Sequence, residues 1–284
     1  MTPQPGKPPS DLRPRVVSGI VLVAVAAFVT WLGGTVFAAA ATALAAVLYY
    51  EWARMTMLPT QAFSVIWGAG AIFLAGIWLV FGQVATALWL AAGGCILLAT
   101  VVHFRLFKGT SLTRTKWAIG GVAYSLAAAA SLVVIRGTEP TATSFDALIG
   151  DRGLVLLAFL FLVVWATDIL AYFVGRSVGG PKLMPAVSPK KTISGAVGGL
   201  FGAVLIAVCF ALAGDGFSLA GTVALALVLS AVSQVGDLFE SWIKRRYRVK
   251  DSSNLIPGHG GFMDRVDGLV FAAVPLALYI AVTS

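Results

Sequence analysis

Residues 153–175 read GLVLLAFLFLVVWATDILAYFVG, a run in which Asp168 is the only charged residue. A bilayer crossing needs roughly 20 mostly apolar residues, so this run predicts a membrane-spanning helix. Comparable apolar runs lie on both sides of it, at residues 16–32, 35–50, 62–81, 84–102, 117–135, 195–213, 218–236 and 266–283. The sequence therefore predicts an all-α polytopic membrane protein with about nine transmembrane helices.

The composition of the whole chain excludes a soluble globular domain. Of its 284 residues, 59% are hydrophobic and 11% are charged, whereas soluble domains are about 45–50% apolar and about 25% charged. Cys95 and Cys209 both fall inside apolar runs, so no disulfide framework is expected. The first two runs, 16–32 and 35–50, are short for perpendicular crossings, and a re-entrant hairpin is an alternative for them.

The distribution of basic residues predicts the orientation in the membrane. Lys and Arg collect in the cytoplasmic connections of membrane proteins. With a cytoplasmic N-terminus, all 20 Lys and Arg residues except Arg136 and Arg152 fall in the N-terminal tail and in alternate connections. A different number of spans would destroy this alternation. We therefore expect nine spans, with the N-terminus in the cytoplasm and the C-terminus outside.

The chain divides into three regions of different character. Residues 1–15 include a Pro-rich polar stretch and are expected to form a flexible cytoplasmic tail. Residues 16–152 are rich in Ala, Val and Leu and predict a scaffold of transmembrane helices. In residues 153–284, polar and charged side chains cluster in and beside the spans. The third region is therefore expected to carry a site that faces the cytoplasm.

The eighth connection and its flanks, residues 234–268, read QVGDLFESWIKRRYRVKDSSNLIPGHGGFMDRVDG. If the helix of span eight continues, Asp237, Glu240, Ser241 and Lys244 share one face because they are spaced by three or four residues. Carboxylates that enter a membrane region are costly unless they are paired or bind a cation. Acidic helix ends around a basic connection therefore predict a site for a divalent metal and a phosphate.

The glycine-rich segment within this connection, residues 257–261, reads PGHGG. Three glycines around one histidine predict a tight turn, which could let a phosphate or nucleotide approach the backbone closely. The alternative is a flexible loop beside a basic flank that reports only orientation. The flanking pairs Asp237 and Glu240, and Asp264 and Asp267, favour a site.

A second polar cluster lies in residues 163–199. Asp168 falls well inside span six, where an ionisable residue indicates function by default, although a structural hydrogen bond to a neighbouring helix is an alternative. Thr192 or Ser194 could cap span seven and leave free N–H groups beside Lys190 and Lys191, where an anion would bind. The glycines that follow favour close helix packing over catalysis. They are Gly195, Gly198, Gly199 and Gly202.

These motifs resemble the phosphatidate cytidylyltransferases, also called CDP-diacylglycerol synthases. Residues 241–267 match the family's signature, Ser-x-x-Lys-Arg-x4-Lys-Asp-x-Ser-x2-Ile-Pro-x-His-Gly-Gly-x2-Asp-Arg-x-Asp, and residues 163–199 contain its Thr-Asp, Ala-Tyr-Phe-x-Gly-Arg and Ser-Pro-Lys-Lys-Thr elements. The resemblance is specific over the second half of the chain. Gly268 stands where the family has Ser, and Gly180-Pro181 replaces a more polar pair, which concerns local loop shape.

The resemblance implies a reaction of CTP with phosphatidate that gives CDP-diacylglycerol and pyrophosphate. It implies Mg²⁺ as the cofactor, held by Asp237 and Asp264 with Asp267 as a further partner, and it allows a second metal ion or a monovalent cation. Asp237, Asp264, Lys244 and Arg265 would be catalytic. The residues implied to bind substrate are Ser188, Lys190, Lys191, Thr192, Ser241, Arg245, Lys250, His259, Gly260, Gly261 and Asp168.

The sequence also indicates the partners of the protein and its location in the cell. The partners are CTP, phosphatidate and the lipid bilayer, with no nucleic acid. The compact chain without an organelle transit signal favours the plasma (inner) membrane of a prokaryote, with the site on its cytoplasmic side. The small-residue faces permit a homodimer, or equally tight packing inside one subunit.

Two other functions are compatible with parts of the pattern. A CTP-dependent lipid-alcohol kinase would also need a metal and a basic loop, but it would release CDP rather than pyrophosphate. An ion-coupled transporter could use Asp168 as a relay, but it predicts inverted repeats and broken helices that the sequence does not display. A CDP-alcohol phosphotransferase is excluded because its Asp-Gly-x2-Ala-Arg pattern is absent.

Overall fold

The computed structural model describes residues 12–56, 62–103, 112–137, 151–213 and 218–283. Within these ranges the chain forms nine helices and one two-stranded hairpin. In chain order the elements are α1 (Leu12–Leu32), α2 (Gly34–Met55), α3 (Ala62–Val80), α4 (Val84–His103), α5 (Leu112–Arg136), α6 (Arg152–Val178), β1 (Lys182–Met184), β2 (Ser188–Thr192), α7 (Ile193–Ala213), α8 (Leu219–Arg246) and α9 (Met263–Thr283).

Each predicted apolar run corresponds to one of these helices, and the chain is an all-α polytopic membrane protein. Six helices are long and apolar enough to cross a bilayer, namely α2 and α5 to α9, while the apolar parts of α1, α3 and α4 are shorter. The first helix begins at Leu12, inside the segment assigned to the tail. Residues 1–11 of that predicted tail lie outside the described residues, as do Glu139 and Asp146 of the connection before α6.

The helices form two packed groups, one from each half of the chain, and the two groups contact each other. Helices α2 to α5 pack against one another in the first half, and α6 to α9 pack in the second, while α5 also packs against α9. Trp52 of α2 stacks on Tyr124 of α5, with ring centroids 5.4 Å apart, and on Phe239 of α8 at 6.2 Å. This aromatic contact joins the two halves near the C-terminal end of α8.

The closest helix contact lies between α6 and α7 and confirms the packing role of the glycines. A Cβ at Gly195 would lie 2.7 Å from the carbonyl oxygen of Ala171, and one at Gly198 would lie 2.6 Å from Cβ of Val174. Gly202 faces the backbone of α6 at a similar distance. These glycines pack inside one subunit, which is one of the two arrangements that the small-residue faces permit.

A buried ion pair lies at the end of the fold opposite the glycine-rich segment. Arg136, which the sequence places in a polar connection, is buried and donates from Nε to the backbone oxygen of Thr30 at 2.8 Å. Its Nη2 lies 3.2 Å from Oδ2 of Asp151, and Asp151 also caps α6 by accepting from the amide of Leu154. One arginine thus ties α1, α5 and α6 together.

The hairpin between α6 and α7 is an element that the sequence does not predict. Strands β1 and β2 pair antiparallel, with Lys182 opposite Thr192 and Met184 opposite Ser188. Strand β1 has three residues, fewer than the roughly four to eight over which alternation marks a half-buried strand, and the five residues of β2, SPKKT, do not alternate between apolar and polar. The sequence therefore indicates only a basic connection with a cap.

Candidate active site

Lys244 lies at the centre of the polar cluster between the C-terminal end of α8 and the N-terminal end of α9. Its Nζ donates to Oε2 of Glu240 at 2.6 Å and to Oδ1 of Asp264 at 2.8 Å. The side chains of Glu240 and Asp264 are only 2% and 7% exposed. The predicted shared face of Asp237, Glu240, Ser241 and Lys244 forms because α8 continues to Arg246, ten residues beyond its apolar run.

The carboxylate of Asp264 is surrounded by donors from its own connection. Its Oδ2 accepts from the amide of Ser252 at 3.0 Å, from Oγ of Ser252 at 3.0 Å and from the amide of Gly261 at 2.9 Å. Its Oδ1 accepts from Lys244. Since Oδ2 already has three donors, Oδ1 is the oxygen that would remain for a cation in place of Lys244.

The hairpin brings a second lysine to the same cluster. Lys191 of β2 forms an ion pair with Oδ2 of Asp237, and these side chains are 29% and 31% exposed. Successive strand residues point to opposite sides, so Lys190 is exposed and lies away from this pair. Of the two lysines that the sequence treats alike, the structure brings only Lys191 to Asp237.

The start of α7 confirms one of the two caps that the sequence left open. Oγ1 of Thr192 accepts from the amide of Gly195 at 3.0 Å, which satisfies a free N–H group of the first turn. Oγ of Ser194 instead donates to the backbone oxygen of Gly179. The cap fixes the end of β2, which holds Lys191 one residue earlier.

Two further carboxylates add negative charge around Asp237. Asp168 of α6 is exposed and interacts electrostatically with Asp237 and Lys191. No hydrogen bond from Asp168 to a neighbouring helix is found among the described residues. Asp267 of α9 interacts with Asp237 and Glu240 and accepts from the amide of Gly268 at 2.9 Å.

The charge balance of this cluster fits a bound cation. The cluster holds five carboxyl groups, and among the described residues those of Asp237, Glu240 and Asp264 pair with a lysine, Lys191 or Lys244, while Asp168 and Asp267 lie close to Asp237. Oε1 of Glu240 is buried and has no donor within the described residues. Buried carboxylate oxygens of this kind are costly unless a cation compensates them.

A metal at this place would need ligands besides the protein. No three Asp, Glu, His or Cys side chains converge on one point in the part of the chain that the structure describes. Mg²⁺ is commonly held by one or two carboxylates together with water and substrate phosphates. The donor set therefore fits Mg²⁺ that binds together with a phosphate-bearing substrate, and it does not fit a structural metal enclosed by protein ligands.

The glycine-rich segment forms the predicted tight turn. The amide of Ile256 donates to the backbone oxygen of Gly260 at 2.8 Å, and Gly258 and Gly260 have φ angles of 75° and 88°. Close approach at Gly261, however, is to protein atoms, since a Cβ there would lie 2.0 Å from Oγ of Ser252 and 2.7 Å from Oε1 of Glu51. The missing side chain at Gly261 thus admits the side chains of Ser252 and Glu51.

The remaining predicted residues surround the cluster at different depths. His259 is half-buried and its Nδ1 lies 2.7 Å from Oγ of Ser18 in α1. Arg265 donates to the backbone oxygen of His259 at 2.6 Å, and Arg245 donates to that of Val187 in the hairpin turn at 3.3 Å. Ser188 and Ser241 are half-buried, and Lys250 is exposed.

Two acidic residues in or beside the cluster were not among the predicted site residues. The sequence indicates Glu240 only as a member of the acidic pair with Asp237 and gives it no role of its own, and the structure pairs it with Lys244. Glu51 of α2 was not singled out, and it contacts the connection between α8 and α9 directly. A signal for Glu51 is present, because it is the only acidic residue between positions 12 and 138 and lies beside an apolar run.

The arrangement combines exposed and buried charges in a way that suits polyanionic substrates. Lys191 and Asp237 are partly exposed, so a phosphate could displace their ion pair and reach Lys191. Lys244 is more enclosed and holds Glu240 and Asp264 together. Side chains of both signs at the ends of membrane helices can bind a cation and phosphate oxygens side by side.

Comparison with known proteins gives one consistent family. The family model described as "Cytidylyltransferase family" matches residues 13–283. A phosphatidate cytidylyltransferase of Brucella abortus is 41% identical over 278 residues, which cover 96% of this chain and 94% of that protein. The enzyme of the same name from Bacillus subtilis is 30% identical over 276 residues, covering 96% and 99% of the two chains, and that of Haemophilus influenzae is 48% identical over 134 residues, covering 45% and 46%.

Proposed function

The chain belongs to the cytidylyltransferase family, and from this membership we propose that it catalyses the reaction of CTP with phosphatidate to CDP-diacylglycerol and pyrophosphate. The observation that carries the proposal is similarity over nearly the whole length to relatives named phosphatidate cytidylyltransferase. The family signature implied the same reaction. The chain is thus a membrane-embedded nucleotidyltransferase of phospholipid biosynthesis.

In the proposed reaction, a phosphate oxygen of phosphatidate attacks the α-phosphorus of CTP. The new P–O bond forms as the bond between the α-phosphorus and the oxygen bridging to the β-phosphate breaks, and pyrophosphate leaves. No general base is required, because a phosphate monoester near neutral pH is already an anionic nucleophile. The demand on the protein is to bring two polyanions together and to stabilise the charge on the transferring group.

The lysines of the cluster meet part of this demand. Lys191 is partly exposed and would exchange Asp237 for a substrate phosphate. Lys244 is held between Glu240 and Asp264, where its charge lies close to any phosphate bound at the ends of α8 and α9. Arg265 and Arg245, whose guanidinium groups contact the glycine-rich turn and the hairpin turn, would add charge at the rim.

Mg²⁺ is proposed as the cofactor, with Asp237 and Asp264 as its protein ligands and Asp267 as a further partner. When bound, it would offset phosphate charge and polarise the transferring phosphoryl group. A second metal ion or a monovalent cation would find the remaining carboxylates, Asp168 and Glu240. The excess of carboxylates over cationic partners supports this assignment.

The other implied residues are proposed to contact substrate from the surrounding elements. Ser188 and Lys190 would act from β2, and Ser241 and Lys250 from the end of α8 and beyond it. Thr192 is proposed to act indirectly, because it is buried and its Oγ1 caps α7. His259 and Gly260 would offer the turn to the nucleotide. Gly261 is proposed to act indirectly, because its free space is taken by Ser252 and Glu51.

We further propose nine crossings in the plasma (inner) membrane of a bacterium, with the N-terminus and the active site on the cytoplasmic side. At a rise of about 1.5 Å per residue, the apolar residues Val16–Leu32 of α1 extend about 26 Å, at the lower end of the roughly 17–25 residues that a crossing uses. The 22 residues of α2 reach further. These lengths favour two crossings over a re-entrant hairpin for the first two helices.

The proposed function is tested with purified protein in detergent, phosphatidate micelles, CTP and Mg²⁺. Pyrophosphate and CDP-lipid are measured in the same tube, with EDTA as the control. Both products, formed in equal amounts and lost with EDTA, are the expected result. CDP without pyrophosphate would point to a kinase, and neither product from folded protein would contradict the proposal.

A further inference from the structure

Glu51 near the C-terminal end of α2 is a fully buried carboxylate, with 0% of its surface exposed. It lies in the half of the chain assigned to the scaffold. A buried carboxylate is costly unless it is hydrogen-bonded at every acceptor position. Its partners therefore show what holds it there, and all of them come from the connection between α8 and α9 or from the first residue of α9.

Four donors satisfy the two oxygens of Glu51. Oε1 accepts from Oγ of Ser253 at 2.5 Å and from the amide of Phe262 at 2.9 Å. Oε2 accepts from the amide of Met263 at 2.6 Å and from Oγ of Ser252 at 3.3 Å. Two of these donors are backbone N–H groups at the start of α9, where a carboxylate is favourable.

The donors to Glu51 and the donors to Asp264 are neighbours in the chain. The amide of Gly261 donates to Asp264, and the next two amides, of Phe262 and Met263, donate to Glu51. Oγ of Ser252 lies within hydrogen-bond distance of both carboxylates. The side chains of Glu51 and Asp264 thus accept hydrogen bonds from the same stretch of backbone. A shift of the Glu51 side chain would therefore change the orientation of the Asp264 carboxylate.

We propose that Glu51 is a positioning residue for the transfer reaction: it holds the connection of residues 251–262, called the signature loop here, so that Oδ1 of Asp264 faces the reacting groups. The inference rests on the proposed function. Glu51 is not a metal ligand, because neither of its oxygens is exposed and each accepts from a backbone amide, with Oγ of Ser253 beside Oε1 and the hydroxyl that Ser252 shares with Asp264 beside Oε2. It acts on the reaction through Asp264.

The test compares three variants. Glu51→Gln keeps the size of the side chain but places an NH₂ group where donors require an acceptor. Glu51→Asp keeps both acceptors on a side chain that is one methylene shorter. Thr56→Val is the matched control, since Thr56 is buried and directly follows α2, but its Oγ1 donates to the backbone oxygen of Trp52 in that helix at 2.7 Å, away from the signature loop.

The measurements are kcat, the KM for phosphatidate and the Mg²⁺ concentration for half-maximal activity, each per folded protein. For Glu51→Gln we expect kcat to fall about 10- to 100-fold and the Mg²⁺ requirement to rise, as when support behind a metal ligand is lost. The KM for phosphatidate should stay within about twofold, and Glu51→Asp should recover part of kcat. Thr56→Val should change kcat by less than about twofold, even where it lowers the unfolding temperature.

Amide hydrogen exchange provides a readout that does not depend on activity. Peptides that cover residues 250–264 should exchange faster in Glu51→Gln than in the native protein, while peptides that cover the hairpin at 182–192 should not. Native kcat and Mg²⁺ dependence in Glu51→Gln, or unchanged exchange in the signature loop, would overturn the inference. If the native protein forms no CDP-lipid, the proposed function is contradicted. The hydrogen-exchange measurement would then still decide whether Glu51 holds the signature loop.

Discussion

Asp264 shows how the residue scale determines what this site can do. Its Oδ2 accepts three hydrogen bonds from the signature loop and its Oδ1 faces Lys244. The donors orient the carboxylate without help from a substrate. The side chain can therefore present one oxygen in a fixed direction, which is what a metal or phosphoryl group requires of a ligand.

Asp264→Asn is expected to abolish turnover in a protein that still folds and inserts. The change removes the charge and one acceptor but hardly alters the shape. We expect kcat to fall by about 100-fold or more, since the residue is a proposed ligand rather than its support. Pyrophosphate release per folded protein measures the effect, with thermal unfolding as the control. Full activity in this variant would contradict the metal assignment.

Lys191→Ala is expected to weaken substrate binding. A hydrogen bond to a charged group contributes about 1.5–3 kcal/mol, so the apparent KM for CTP or phosphatidate should rise about 10-fold or more. Lys190→Ala should have a smaller effect, because Lys190 is exposed and points away from Asp237. Steady-state titration of each substrate measures both variants.

Arg152→Ala is the matched control for charge in this comparison. Arg152 is exposed at the first residue of α6, 16 residues before Asp168, which is about 24 Å along the helix. Its removal should leave both KM values unchanged. An unchanged affinity for both substrates in Lys191→Ala would count against the role of Lys191.

At the element scale, the position of the site depends on how closely α6 and α7 pack. Gly195, Gly198 and Gly202 let the backbones approach, and the hairpin that connects these helices then carries Lys191 to Asp237 of α8. A wider separation of the helices would move β2 as well. The glycines thus serve the site indirectly, through the position of the hairpin.

Gly198→Ala is expected to destabilise the protein through this interface. Its Cβ would lie 2.6 Å from Cβ of Val174, and overpacking of this kind costs about 1–3 kcal/mol. Gly93→Ala on α4 is the control, because no atom lies within 4 Å of its added Cβ and helix propensity rises by up to about 1 kcal/mol. Thermal unfolding in one detergent compares them. Equal unfolding temperatures would contradict the packing argument.

At the scale of the whole molecule, the two halves meet at the signature loop. Glu51 of α2 contacts the loop from one helix, and Ser18 of α1 contacts it at His259 and at the backbone oxygen of Pro257. The aromatic contact of Trp52 with Phe239 lies beside them. The first half is therefore more than a membrane anchor, because it holds the loop that carries the family signature.

The proposed topology predicts which positions are labelled from each side of the membrane. In a background with Cys95→Ser and Cys209→Ser, Trp31→Cys at the end of α1 should react with an impermeant maleimide from outside. Lys250→Cys should react only after the membrane is opened, because the proposed topology places its connection in the cytoplasm. Reaction of both positions from the same side would contradict nine crossings with a cytoplasmic N-terminus.

The sequence by itself determined the helices, the family and most of the site's members. Apolar runs and charge alternation are properties of consecutive residues, so all nine described helices could be predicted from them. The shared face of Asp237, Glu240 and Lys244 follows from helical spacing alone. The match over residues 241–267 identified the family, because its motif is contiguous in the chain.

Only the tertiary structure decided how distant segments complete the site. Glu51 lies 201 to 212 residues from the groups that it binds, and no local pattern reports a contact across such a separation. The choice of Lys191 over Lys190 depends on a hairpin whose strands, KLM and SPKKT, carry no alternation of apolar and polar residues over about four or more positions. Both depend on packing between helices, since burial and hydrogen bonding together select which polar side chain faces which partner.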